Sequence, residues 1–100
     1  MDPERISDFH ISDLVNSKAG RDAGKLFYVI GMDGDQLLLA NGKDRPLDRP
    51  KRKKRKHVQQ VLRPETRVAE KLRLGDKVLN GELRRDLAFL AKYASDNLGG

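Results

Sequence analysis

Cysteine is absent from this 100-residue chain, and so is tryptophan. Without thiols there is no disulfide framework, no thiolate metal site and no cysteine nucleophile, and the composition fits a reducing compartment. The aromatic residues are two Tyr and three Phe, so a core has to be assembled mainly from aliphatic side chains. Long apolar runs are missing as well: stretches such as Leu37 to Ala40 fall far short of the roughly 20 residues a spanning helix requires. The opening Met1-Asp2-Pro3-Glu4-Arg5 carries no apolar core of the kind a secretory signal needs. The expectation is a soluble, cytoplasmic protein, monomeric, with no membrane contact, no metal and no cofactor.

What the chain does have is positive charge, concentrated in one place. Residues 43 to 56 hold nine Lys and Arg against two Asp, a net of +7, while the whole chain carries +6, so everything else sums to −1. Six of those cations are consecutive: Lys51, Arg52, Lys53, Lys54, Arg55 and Lys56. Like charges packed this closely repel one another in a compact state, and a polyanion whose counterions are released on binding relieves that repulsion. Nucleic acid is the partner this pattern suggests first.

Along the chain, residues 1–12 are polar, and Asp2-Pro3-Glu4 suits the start of a short helical turn through Ile6 and Phe9. Residues 13–63 read as short strands: Leu14 to Ala19, Lys25 to Met32, Gln36 to Asn41, Lys43 to Leu47 and His57 to Arg63. Asp33-Gly34 and Asn41-Gly42 are the dipeptides best suited to two-residue hairpins, which predicts an antiparallel meander. Pro46 and Pro50 disfavour both a helix and a central ladder position, so residues 46–56 read as an extended basic loop. In residues 64–100, Thr66 caps a short helix that Gly75 stops, and Asn80 is read as a second cap. The stripe Leu83, Leu87, Leu90, Ala91 and Ala94 marks an amphipathic helix. Its expected role is to close one end of the β-structure, with docking on a protein partner as the rival use.

Five stretches carry a more particular resemblance. Val15-Asn16-Ser17-Lys18-Ala19-Gly20-Arg21-Asp22-Ala23-Gly24, Phe27-Tyr28-Val29 and Asn41-Gly42-Lys43 are followed by Arg49-Pro50-Lys51 through Lys54 and by Lys56-His57-Val58. Together these segments resemble the KOW-domain RNA-binding proteins. More narrowly, the chain is similar to small bacterial proteins related to the archaeal and eukaryotic-type KOW ribosomal proteins of the large subunit. Glu70-Lys71-Leu72 and the region around Leu83, Arg84 and Leu87 extend the likeness over most of the chain. It implies a small SH3-like (KOW) barrel of about five antiparallel strands over residues 13–63, followed by two short helices. It also implies binding of structured RNA, ribosomal RNA above all, and association with the ribosome. Gly24 falls where the motif wants its glycine, and Gly20, Arg21 and Lys25 fall on the RNA-facing edge with the basic loop. Asp13 stands where the family usually has a glycine before the first strand's valines, so that strand should begin differently here.

Taken together, the RNA contacts expected are Lys18, Gly20, Arg21, Gly24, Lys25, Lys43, Arg45, Arg49, Lys51, Arg52, Lys53, Lys54, Arg55, Lys56 and His57. Asp22 is expected to orient its neighbours rather than to bind. Phe27 is assigned to the core, and Tyr28, its neighbour on the strand, is left open for stacking. The spacing Gly20-x-x-x-Gly24-Lys25 lacks one residue of a P-loop and the Ser or Thr that would hold magnesium, which excludes nucleotide hydrolysis by that route. Asp33 and Asp35 flank a turn glycine and have no catalytic partners, so no enzyme is expected. The rival readings are a protein-binding module of a transcription or translation factor and a non-specific DNA binder.

Overall fold

The computed structural model describes residues 8–97. The turn expected through Ile6 and the two terminal glycines lie outside the described residues, although Phe9 itself is buried.

Alternation of side chains decides the sheet. Five strands, β1 (Leu14–Ser17), β2 (Leu26–Asp33), β3 (Gln36–Ala40), β4 (Lys51–Lys54) and β5 (Val58–Leu62), pair antiparallel in the order β4-β3-β2-β1-β5. Because successive residues point to opposite faces, Val15, Phe27, Val29, Leu37, Leu39 and Val58 gather on one side, where Phe9 joins them and Ile11 packs against them. Leu14, Tyr28 and Ala40 face the other side. Asp33 pairs with Gln36, so β2 and β3 are joined by the two-residue turn Gly34-Asp35, with Gly34 at φ +63.

Two helices, α1 (Arg67–Leu74) and α2 (Asn80–Asn97), follow the sheet and cover its second face. Val68, Ala69, Leu83, Leu87 and Leu90 pack on Leu14, Tyr28 and Ala40. Thr66 caps α1 by accepting from the Ala69 amide at 3.1 Å, and Gly75 ends it in the left-handed region, as expected. No helix among the described residues is long and apolar enough to cross a membrane.

Four expectations need correcting. The sheet does not close into a barrel: β4 and β5 are its edges and form no ladder with each other. Residues 46–56 are not one loop, since Lys51–Lys54 form an edge strand on β3 and Arg55–His57 a 3-10 turn. No strand spans Lys43 to Leu47; instead Asn41 organises a turn, its Oδ1 accepting from the Lys43 and Arg45 amides at 2.9 and 3.0 Å. Asn80 does not cap its own helix, because its Oδ1 accepts from the Leu47 amide at 2.8 Å, and Glu82 takes the Leu79 amide at the start of α2.

Asp13 shapes the start of β1 in its own way. Its fully buried carboxylate accepts from the His10 amide at 2.9 Å, from Gln60 Nε2 and from Arg63 Nε at 2.8 Å. Ser12 before it adopts φ +77, and its hydroxyl accepts from Arg73 Nη1 at 3.0 Å. Asp13 thus ties β1 to the end of β5, while the serine before it reaches α1.

Candidate functional site

The connector between β1 and β2 has to reverse the chain in eight residues, 18–25, and it does so through a 3-10 turn over Gly20–Asp22. Gly20 and Gly24 take φ +77 and +85, a region L side chains avoid. The Gly24 amide donates to the Ser17 carbonyl at 2.8 Å, which folds the connector back on its own strand. Gly20, Arg21, Gly24 and Lys25 are left exposed.

Strand β4 meets this connector side by side. On a strand, Lys51 and Lys53 share one face and Arg52 and Lys54 the other, and their burial alternates accordingly. Lys53 Nζ donates to the Ala19 carbonyl at 2.8 Å, and Lys51 Nζ lies 3.8 Å from Asp22. Asp22 is buried and also lies 3.9 Å from Lys25, so one carboxylate orients two cations from different elements. That is the orienting part expected of it. Across the strand, Arg52 pairs with Asp33, and the Arg55 amide donates to the Asp35 carbonyl at 3.1 Å.

The Asn41–Pro50 loop joins the same edge. Lys25 Nζ donates to Asp44 at 2.8 Å, and Asn41 Nδ2 donates to the same carboxylate at 2.7 Å. These bonds, Lys25 first, hold the Asp44 carboxyl down at about 2, and the Asp44 bond raises the Lys25 ammonium above its ordinary value. Lys43, beside Asp44 in the chain, is exposed, while Arg45 is half-buried with its carbonyl accepting from the Asn41 and Gly42 amides. Arg49 is exposed at the far end of the loop, its amide bonded to Pro46. The Lys18 amide donates to the His57 carbonyl at 2.8 Å, which brings those two residues together.

Of the expected contacts, Lys18, Gly20, Arg21, Gly24, Lys25, Lys51, Lys53 and His57 thus converge on one patch built from the connector, β4 and the turn after it, and Lys43 lies in the loop that Asp44 ties to Lys25. Arg52, Lys54 and Arg55 lie across β4 or beyond its end, where Lys54, Arg55, Lys56 and Asp35 bound a recess of about 350 Å³. Tyr28 does not belong to the site. It is fully buried, donating to Asp86 and lying 3.2 Å from the Thr66 hydroxyl, because the helices cover the face that a lone sheet would leave open. The sequence reading missed Asn41 and Asp44, whose Asn-x-x-Asp spacing is an Asx-turn signal that the hairpin reading of Asn41-Gly42 overrode.

Neither the family models nor the curated proteins searched contain a match to this chain.

Proposed function

We propose that the chain is a KOW-type RNA-binding protein that grips structured RNA, ribosomal RNA in particular, and associates with the ribosome in the cytoplasm without catalysing a reaction. The observation that supports this reading is the juxtaposition of a cationic edge strand with a connector whose glycines and cations are exposed. A Lys every second residue on a strand repeats at roughly 6.6 Å, similar to the step between neighbouring phosphates. Asp22 and Asp44 hold the cations in position, so little side-chain freedom is lost when phosphates arrive. Contacts of this kind fix register on a backbone and read no bases, so sequence preference is weak and shape preference strong.

If about five to seven phosphates are neutralised, the logarithm of affinity falls with log salt at a slope near −3.5 to −6. Binding of the full chain to a ribosomal RNA fragment, with duplex DNA of equal length as competitor, tests this. Replacing Lys51 to Lys56 by Gln flattens the slope and leaves the circular dichroism spectrum unchanged. Equal affinity of the variant and the parent would refute the reading, and stronger binding of DNA would move it to the rival class. Sedimentation of tagged protein from lysate at low and high salt tests the ribosomal part separately, by co-migration with large subunits.

A further inference from the structure

One face of α2 has no part in the core or in the basic patch. Arg85, Phe89, Lys92 and Tyr93 recur at helical spacing on its outward side. Phe89 is 61% and Tyr93 46% exposed, in a chain with few aromatics to spare. The surface around them is concave. A recess of about 340 Å³ has Leu62, Pro64, Phe89, Leu90 and Tyr93 as its apolar wall and Arg63, Glu65 and Thr66 as its polar one. A second of about 270 Å³ lies beyond Phe89 against Val68, where Arg67 and Arg85 share the wall with Glu82 and Asp86.

We infer that this groove docks an acidic segment of a partner protein that inserts large apolar side chains on either side of Phe89. Shape favours a protein over a nucleobase, since recesses walled by Leu, Pro and Phe accept a branched or aromatic side chain, whereas base stacking needs a flat open ring. Charge selects the acidic class. Arg67, Arg85 and Lys92 make no ion pair among the described residues. Of the acids that share these recesses, Glu82 is paired with Lys71 and Glu65 lies 3.6 Å from Arg73, so of the three only Asp86, which accepts from the Tyr28 and Thr66 hydroxyls, lacks a cationic partner among the described residues. The groove opens where β5 runs into α1, at the sheet edge opposite β4, so occupancy leaves the basic patch free and the inference does not depend on the RNA reading.

The probe is a fluorescein-labelled helical peptide with Leu at four-residue spacing among Glu residues, titrated with the full chain by anisotropy. The same peptide with Lys for Glu, and oligo(U), are run beside it. The acidic peptide is expected to bind at least about tenfold more tightly than the basic one, with Phe89→Ser weakening it about tenfold. Arg67→Gln with Arg85→Gln is expected to weaken it and reduce its salt dependence. Both sets of side chains are exposed enough to change without loss of the fold. Failure of the acidic peptide to bind, equal binding of both peptides, or full binding by Phe89→Ser would overturn the proposal. So would a loss of oligo(U) affinity on Phe89→Ser, which would make the occupant nucleic acid, or a Phe89-dependent self-association, which would make it a second copy.

Discussion

Gly42 packs directly against the first turn of α2, where Arg84 Nη1 donates to its carbonyl at 3.1 Å. A Cβ there would sit 2.4 Å from the Asn80 carbonyl oxygen, on a backbone with φ +77. Gly24 has φ +85 with open space around it. The two glycines therefore separate strain from collision. Gly24→Ala should cost only the left-handed penalty, about 1–2 kcal/mol, whereas Gly42→Ala adds an overpacking term for a total of about 2–4 kcal/mol. Urea unfolding of both variants checks the difference, and equal losses would mean that the loop does not dock on the helix as described. Tyr28 offers a second test. Burial, and then the hydrogen bond to Asp86, push its phenol well above the ordinary value of 10.0. A raised acid of this kind stabilises fully below about pH 10, and its contribution fades as pH rises, because the unfolded chain gives up the proton first. Tyr28→Phe should lower stability at neutral pH by about 1–3 kcal/mol, since Asp86 loses a donor, and should remove this alkaline decline. In a Tyr93→Phe background, phenolate absorbance should appear only as the protein unfolds; a phenolate forming in the folded state near pH 10 would contradict the buried network.

Strand β4 converts a run of like charges into two faces with different surroundings. Lys51 and Lys53 face the connector, and Arg52 and Lys54 face away from it. A flexible loop would make all six cations equivalent, but a strand does not. Lys51→Gln with Lys53→Gln should therefore lower RNA affinity by about tenfold or more, and Arg52→Gln with Lys54→Gln by much less, since each lost phosphate contact removes about one unit of salt slope. Equal losses would restore the loop. This strand is also the element least legible in the sequence. Lys has little preference for strands and prolines stand nearby, so only the pairing with Leu37, Leu38 and Leu39 of β3, a long-range fact, makes the segment extended. Its cations blunt an open sheet edge as well. Several local signals stand as expected: the Thr66 cap, the Gly75 stop and the stripe Leu83, Leu87 and Leu90. The hairpin after β2 forms one residue later than its Asp33-Gly34 signal, over Gly34-Asp35, and Asn41-Gly42 makes a loop turn rather than a hairpin. Where two elements had to meet, the reading failed, as with Tyr28 under the helices and Asn80 bonded to Leu47 rather than to its own helix. For the candidate patch the residue types were legible, but the carboxylates that arrange them were only half so: Asp22 was foreseen and Asp44 was not.

The charge of the folded domain as a whole sets two salt responses of opposite sign. A net +6, almost all of it on one edge, raises the free energy of the folded state through self-repulsion, which added salt screens over a Debye length of about 10 Å at 0.1 M. The internal pairs Lys25–Asp44, Lys51–Asp22 and Arg52–Asp33 offset part of that repulsion and are themselves screened. Because the two exposed pairs, Lys25–Asp44 and Arg52–Asp33, contribute only about 0–1 kcal/mol each, the cationic excess should dominate. Raising salt from 50 to 500 mM should therefore raise the melting temperature of the free protein by several degrees, about 4–8 °C for each kcal/mol of repulsion removed. The same increase should weaken RNA binding by several powers of ten, because it suppresses counterion release. Replacing Lys51 to Lys56 by Gln should flatten both responses together. A protein whose basic edge served only to keep the sheet from pairing with its neighbours would show the first response without the second. Measuring melting and binding across one salt series in parent and variant therefore separates a protective edge from an RNA grip. Parallel loss of both slopes in the variant is the expected result, and a melting temperature that falls with salt would mean that the internal ion pairs, rather than the cationic excess, govern the edge.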